Sequence, residues 1–213
     1  MLGFGKKVEY DRSTALEAGD RARAKGKHKV AIAEYRKVLD ADPDDAAVHT
    51  RIAPLLVRVG QHDDALKSFE RAAEVYEKKG FTEKALAVRV QAAQAFPKQV
   101  ELWEQVSQIH LDAGRKADAF RALIRGRMQQ RGRAEREKAV ALLQRALNID
   151  DSHVMATLDL AHLLAQLGRK EEARPLLGRM GERTSGRLRR RIRWMQFKLW
   201  PSASRFWIWM RNK

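Results

Sequence analysis

The sequence predicts an all-α solenoid of antiparallel helix pairs, on three observations. Ala, Leu, Arg, Lys and Glu dominate a 213-residue chain with only five prolines and thirteen glycines, a composition that favours helices over turn-rich β structure. The chain matches itself at fixed shifts, the signature of stacked repeats. Glycines recur at one position of each repeat, where a helix would end.

The self-match starts at the first helix pair. Shifted by 34, Ala18, Gly19, Gly26, Ala31, Tyr35 and Val38 fall on Ile52, Ala53, Gly60, Ala65, Phe69 and Ala72. Shifted by 54, Ile52, Gly60, Ala65, Phe69, Ala72, Ala85 and Ala92 fall on Val106, Gly114, Ala119, Leu123, Gly126, Ala139 and Ala146. A second shift of 54 reaches Leu160, Ala161, Gly168, Ala173, Leu177 and Met180. The longer period describes a three-helix unit, in which helices 62–79 and 116–131 each serve two neighbouring pairs. Within a unit, triplets such as Ala31, Tyr35 and Val38 share one helix face, and their small members let a neighbouring helix approach.

Helices are therefore expected at 12–25, 28–41, 45–59, 62–79, 82–95, 99–113, 116–131, 134–148, 153–167, 170–181 and 186–200. Pro43 and Pro97 follow helix ends, whereas Pro54 and Pro175 fall inside helices and should kink or shorten them. Pro201 ends the last long helix, and Ser202 or Ser204 can cap a final turn holding Phe206 to Met210. Residues 1–11 read as an unstructured lead-in, 12–182 as the repeat domain and 183–213 as a separate basic, Trp-rich capping or anchoring segment.

From residue 12 to about 180, the order of small, glycine, alanine and aromatic positions resembles the tetratricopeptide repeat family, a helix-turn-helix unit of about 34 residues, and in particular its bacterial-type scaffold proteins. The resemblance implies a right-handed superhelical solenoid with a concave groove lined by the first helix of each pair. It also implies a protein-binding role. Its groove positions fall on Asp20, Arg23, Thr50, Val57, Arg58, Glu101, Glu104, Gln108, Leu111, Asp112, His162 and Gln166. The lysines and asparagines with which the chaperone-cofactor branch clamps a C-terminal carboxylate have no counterpart here, so acidic chaperone tails are not expected ligands. The family's closing proline is missing where Glu77 and Asp151 stand.

No chemistry-bearing motif accompanies the repeats. Neither Gly5-Lys6-Lys7 nor Gly26-Lys27-His28 has the spacing of a phosphate loop. The six histidines include no pair four residues apart, and the chain has no cysteine, so no metal, cofactor or catalytic residue is expected. Acidic pairs such as Asp63-Asp64 sit where helices begin and complement the helix dipole. With no apolar stretch of secretory-signal length at the N-terminus, the expectation is a cytoplasmic, non-enzymatic adaptor for other proteins.

Charge singles out the C-terminus. The formal net charge is +16, yet ten of the 43 basic side chains and none of the 27 acids lie in 183–213, leaving +6 for the first 182 residues. Four of the five tryptophans are there too. Leu188, Ile192, Met195 and Leu199 form one apolar stripe on a helix otherwise rich in arginine. A cap closing the repeat stack accounts for the stripe. With the arginines as its water-facing side, a cap still does not account for Trp194, Phe197, Trp200 and the run from Phe206 through Trp207 and Trp209 to Met210; these, together with Arg187, Arg189, Arg190, Arg191 and Arg193, suit an anionic membrane surface. Nucleic acid is the alternative for the same residues, through phosphate contacts and base stacking, and a partner protein is a third.

Overall fold

A computed structural model of the protein describes residues 11–211. The expected lead-in lies outside these residues, apart from Asp11. Among the described residues there are twelve helices and no strand. They fall into two compact units that meet between Ala95 and Phe96 in the chain.

The first unit holds α1 (Arg12–Ala24), α2 (His28–Ala41), α3 (Ala46–Arg58), α4 (His62–Lys78) and α5 (Thr82–Ala95), each packed on the next. Asp11 begins it: its carboxylate accepts from the backbone N–H of Ser13 and Thr14, closing two of the open donors of α1. The predicted triplets form the core, with Ala31, Tyr35 and Val38 of α2 and Ala65, Phe69 and Ala72 of α4 all buried. Between α1 and α2 the small residue matters at Gly19, because a Cβ there would lie 2.6 Å from the Tyr35 ring.

The second unit holds α6 (Val100–Asp112), α7 (Lys116–Gln129), α8 (Arg136–Ile149), α9 (Val154–Gln166), α10 (Lys170–Arg183), α11 (Gly186–Leu199) and α12 (Ala203–Met210). One apolar core runs through it from Val100 to Trp200. The 54-residue period is visible in the elements themselves: α3, α6 and α9 begin at Ala46, Val100 and Val154, and α4, α7 and α10 at His62, Lys116 and Lys170.

The turn after the first helix of each pair is one motif repeated. Gly26, Gly60, Gly114 and Gly168 all have φ between 69° and 82°, a left-handed conformation that a side chain disfavours. The following N–H reaches back five residues, as in Lys27 to the Ala22 carbonyl and Arg115 to that of His110, which is a Schellman cap. Gly80 builds the same turn before α5.

The link from α7 to α8 is different because Ala134 stands where a glycine would be needed. Side chains hold it instead. The buried Gln130 amide donates to the carbonyls of Pro97 and Lys98 at 3.4 and 3.3 Å, and the Glu135 carboxylate accepts from Gly132 N–H at 2.6 Å. Glu135 also pairs with Lys98 at 3.1 Å, and this contact, with the Gly132 N–H, holds its carboxyl below the ordinary range. The α8 helix begins at Arg136 rather than at 134, in step with the start of α5 at Thr82 one 54-residue period earlier.

The two internal prolines do not shorten their helices. α3 runs through Pro54 for 13 residues, the length of α6 and α9, and α10 runs through Pro175 for 14, the length of α7. Each proline removes one backbone donor, while the burial of Ala53, Leu55 and Leu56 around Pro54, and of Ala173 and Leu177 around Pro175, holds the helix in register.

Candidate functional site

The groove positions taken from the family pattern do different work in the two units. In the first unit, Asp20 is committed internally. Its carboxylate accepts from the Tyr35 hydroxyl at 2.6 Å and from Arg51 at 2.8 Å, with Arg23 3.5 Å away. This network ties α1, α2 and α3 together. Burial, then the Asp20 contact, pushes the Tyr35 phenol up to about 12. The half-buried Thr50 donates to the carbonyl of Ala46 at 2.7 Å, one turn back, and Arg58 is exposed.

In the second unit, Glu104 and Gln108 of α6 face a cleft of about 430 Å³ with Ser107, Leu111, Lys116 and Arg145. The acidic middle expected from Glu101, Glu104 and Asp112 is partly answered: Glu104 pairs with Arg145 at 3.1 Å, and Gln108 donates to Asp112 at 2.7 Å. Glu101 is exposed.

His162 belongs to a second, larger groove of about 650 Å³, walled by α7, α8, α9 and α11. It sits 2.7 Å from Gln166 one turn on. Asp159 accepts from Arg127 Nη2 at 2.6 Å and forms an ion pair with the same guanidinium, so this pair neutralises itself on the polar floor. Apart from His153 and Arg191, the rest of the lining is apolar. Met128, Met155 and Trp194 are 51%, 50% and 42% exposed around it. Met128, Met155 and Ile124 are not among the sequence candidates, and Met195 enters there only as part of the α11 stripe; the available signal is two large apolar residues lying off the self-matched positions of α7 and α9.

At the C-terminus the structure divides the predicted residues into three groups. Ile192 is fully buried, and Met195 and Leu199 pack against the core, so α11 lies across α9 and α10. Leu188, the first residue of the expected stripe, is 43% exposed. Trp200 joins the buried group rather than the surface. It is 8% exposed, its indole N–H donates to Glu171 at 2.8 Å, and the Arg174 guanidinium lies 4.9 Å above its ring.

A second group of cations serves the backbone: Arg189 donates to the Thr184 carbonyl, Arg193 to Ile208 at 3.4 Å and Arg205 to Trp200 at 2.9 Å. The third group faces outward. Helix α12, capped by the Ser202 hydroxyl, folds back on α11 through Trp194 against Trp209 at 4.9 Å and Phe197 against Phe206 at 5.7 Å. None of its residues is buried, and Trp207 is 60% exposed. Arg187, Arg190 and Arg191 surround a cleft floored by Trp194 and Trp209, with Arg190 5.4 Å from the Trp209 ring.

The architecture is that of a helical-repeat protein, built from short helix pairs with glycine-closed turns. The profile of the tetratricopeptide repeat family matches residues 22–78 and 135–190, more than half of the sequence, and the chain belongs to that family. Among solved structures it is similar to MamA protein, at 18% identity over 80% of this chain and 90% of that one, with a TM-score of 0.36. A tetratricopeptide repeat protein from Parabacteroides merdae shares 16% identity over 94% and 93% of the two chains, TM-score 0.30. The Rap conjugation gene regulator of the plasmid pLS20 shares 16% over 99% of this chain and 67% of that one, TM-score 0.43. No curated protein sequence matches. Among the described residues no helix is long and apolar enough to cross a membrane, and no group of His, Asp and Glu is placed to hold a metal ion.

Proposed function

We propose that this protein is a non-enzymatic adaptor that holds segments of other proteins on its repeat helices and is attached to an anionic membrane surface by its C-terminus. In this reading residues 12–182 supply the partner-binding body and 183–213 supply both the cap and the anchor, at the cytoplasmic face of the membrane. The observation that carries the attachment is α12, whose Phe206, Trp207 and Ile208 all remain exposed while its Trp209 floors the cleft lined by Arg187, Arg190 and Arg191. A core-facing helix would bury such residues. Tryptophan favours the headgroup zone of a bilayer, and each arginine near an anionic leaflet contributes about 1 kcal/mol.

The test is flotation with vesicles containing an anionic phospholipid, at low salt, against vesicles of phosphatidylcholine alone. The chain is expected to float only with the anionic vesicles, with a blue shift of tryptophan emission, and to lose binding when Trp207 and Ile208 are both changed to Ala. A chain that stays at the bottom of the gradient overturns the attachment. A blue shift with single-stranded oligonucleotide but not with vesicles replaces the membrane with nucleic acid.

A further inference from the structure

We infer that the groove between α7 and α11 binds an apolar segment of a partner protein that carries acidic residues beside its apolar side chains. The inference rests on the adaptor reading and assigns the partner chemistry of one site. Half-exposed Met128 and Met155 flank the groove with Trp194, leaving apolar surface open to water in a cavity of about 650 Å³, within the range of roughly 300–1,000 Å³ that ligand sites occupy. Methionine is unbranched and adapts to the shape of what it covers, which suits a protein segment better than a rigid small molecule.

Charge selects the occupant. Arg127 is spent on Asp159, but Arg191 has the thioether of Met155 as its contact, 3.5 Å away, and Arg187 and Arg190 continue the positive rim into the next cleft. The whole stretch 183–213 contains no acid to offset them. The other apolar segment at hand, α12 of a second copy, has the right side chains in Phe206 to Met210. It brings Arg205 and Arg211 against the same rim, and like charges oppose that docking. Carboxylates next to two or three large apolar side chains meet both features of the groove.

The probe is a random peptide library displayed on phage and selected on the full-length protein. The expected winners combine large apolar residues with Asp or Glu. Their affinity should fall at least tenfold on Met155→Asp and on Met128→Asp, both at exposed positions, with the helical circular dichroism unchanged. Arg191→Glu should move the selection toward Lys- and Arg-flanked peptides, a reversal that a merely structural role would not produce. Peptides that bind but ignore all three substitutions overturn this assignment and leave the adaptor reading standing. Failure to enrich any peptide removes both. Self-association abolished by Met155→Asp, measured by sedimentation, overturns the acidic partner in favour of a second copy.

Discussion

Whether α11 is a cap is decided by Ile192→Ala. The side chain has no exposed surface, and it lies against α10 so closely that a Cβ built at Gly181 would be 3.6 Å from its Cγ2. The substitution removes three carbons; at about 0.8 kcal/mol per buried methylene this loses roughly 2.4 kcal/mol. The cavity left between α9, α10 and α11 raises the total toward about 3 kcal/mol, inside the range of about 2–5 kcal/mol for such truncations. All five tryptophans, Trp103, Trp194, Trp200, Trp207 and Trp209, lie in the second unit, so their fluorescence follows its unfolding without interference from the first. With a slope near 2 kcal/mol per molar of urea, the midpoint should fall by about 1.5 M. A chain ending at Trp200, which lacks α12 and no buried residue beyond it, loses the surface ring pairs Trp194–Trp209 and Phe197–Phe206 and should shift by about 1 kcal/mol, well below Ile192→Ala. An unchanged midpoint in Ile192→Ala, or a large loss on removing α12, would refute the division of the C-terminus into a cap and an exposed face.

Three further outcomes are expected. Gly126→Ala should destabilise the second unit by about 1–3 kcal/mol in the same urea assay, since its Cβ would lie 2.7 Å from Trp103 Cγ and the indole is fixed by its bond to the Pro97 carbonyl. Asp45 is the N-cap of α3. Burial raises its pKa, but the Arg12 pair and the Val48 N–H outweigh that and hold it below the ordinary 3.8. A carboxyl depressed in the folded state stabilises above its unfolded pKa and stops doing so as pH falls through the folded one. Asp45→Ala should therefore cost about 0.5–2 kcal/mol at pH 7 in thermal melts and progressively less below about pH 3.8. Tyr35, raised by burial and by Asp20 to about 12, stabilises fully below its unfolded value of 10.0 and loses that contribution as pH rises through about 12; in an ultraviolet titration Tyr35→Phe should remove a phenolate transition near pH 12.

The helix pairs were legible because their signals are local. Gly26, Gly60, Gly114 and Gly168 mark turns whose backbone excludes a side chain, and the Ala31, Tyr35, Val38 triplet and its copies mark the packed faces. What escaped depends on distant partners. Asp20 occupies a groove position by family pattern, but the Tyr35 hydroxyl 15 residues away and Arg51 of α3 claim it. Trp200 sits among arginines and tryptophans that face water, and only the position of Glu171 on α10 shows that its indole turns inward. Met128 and Met155 are unremarkable in sequence, 27 residues apart; α11 folding across α9 makes them sides of one groove.

That last point changes how the C-terminus relates to the repeats. In a repeat stack the terminal helix has a single obligation, to shield the last apolar face. Here Ile192 and Met195 of α11, with Trp200 just after it, turn to the core, which leaves its other faces to α12 and to solvent. Arg191 and Trp194 then line both the methionine groove and the cleft floored by Trp194 and Trp209. A ligand that reorients Trp194 in one site changes the floor of the other, because the ring that stacks on Trp209 is the ring that walls the groove. Under the proposed attachment and the proposed groove partner, the two binding events would share Trp194, and any linkage between them would be reciprocal: whatever factor the membrane imposes on partner affinity, the partner would impose on membrane affinity.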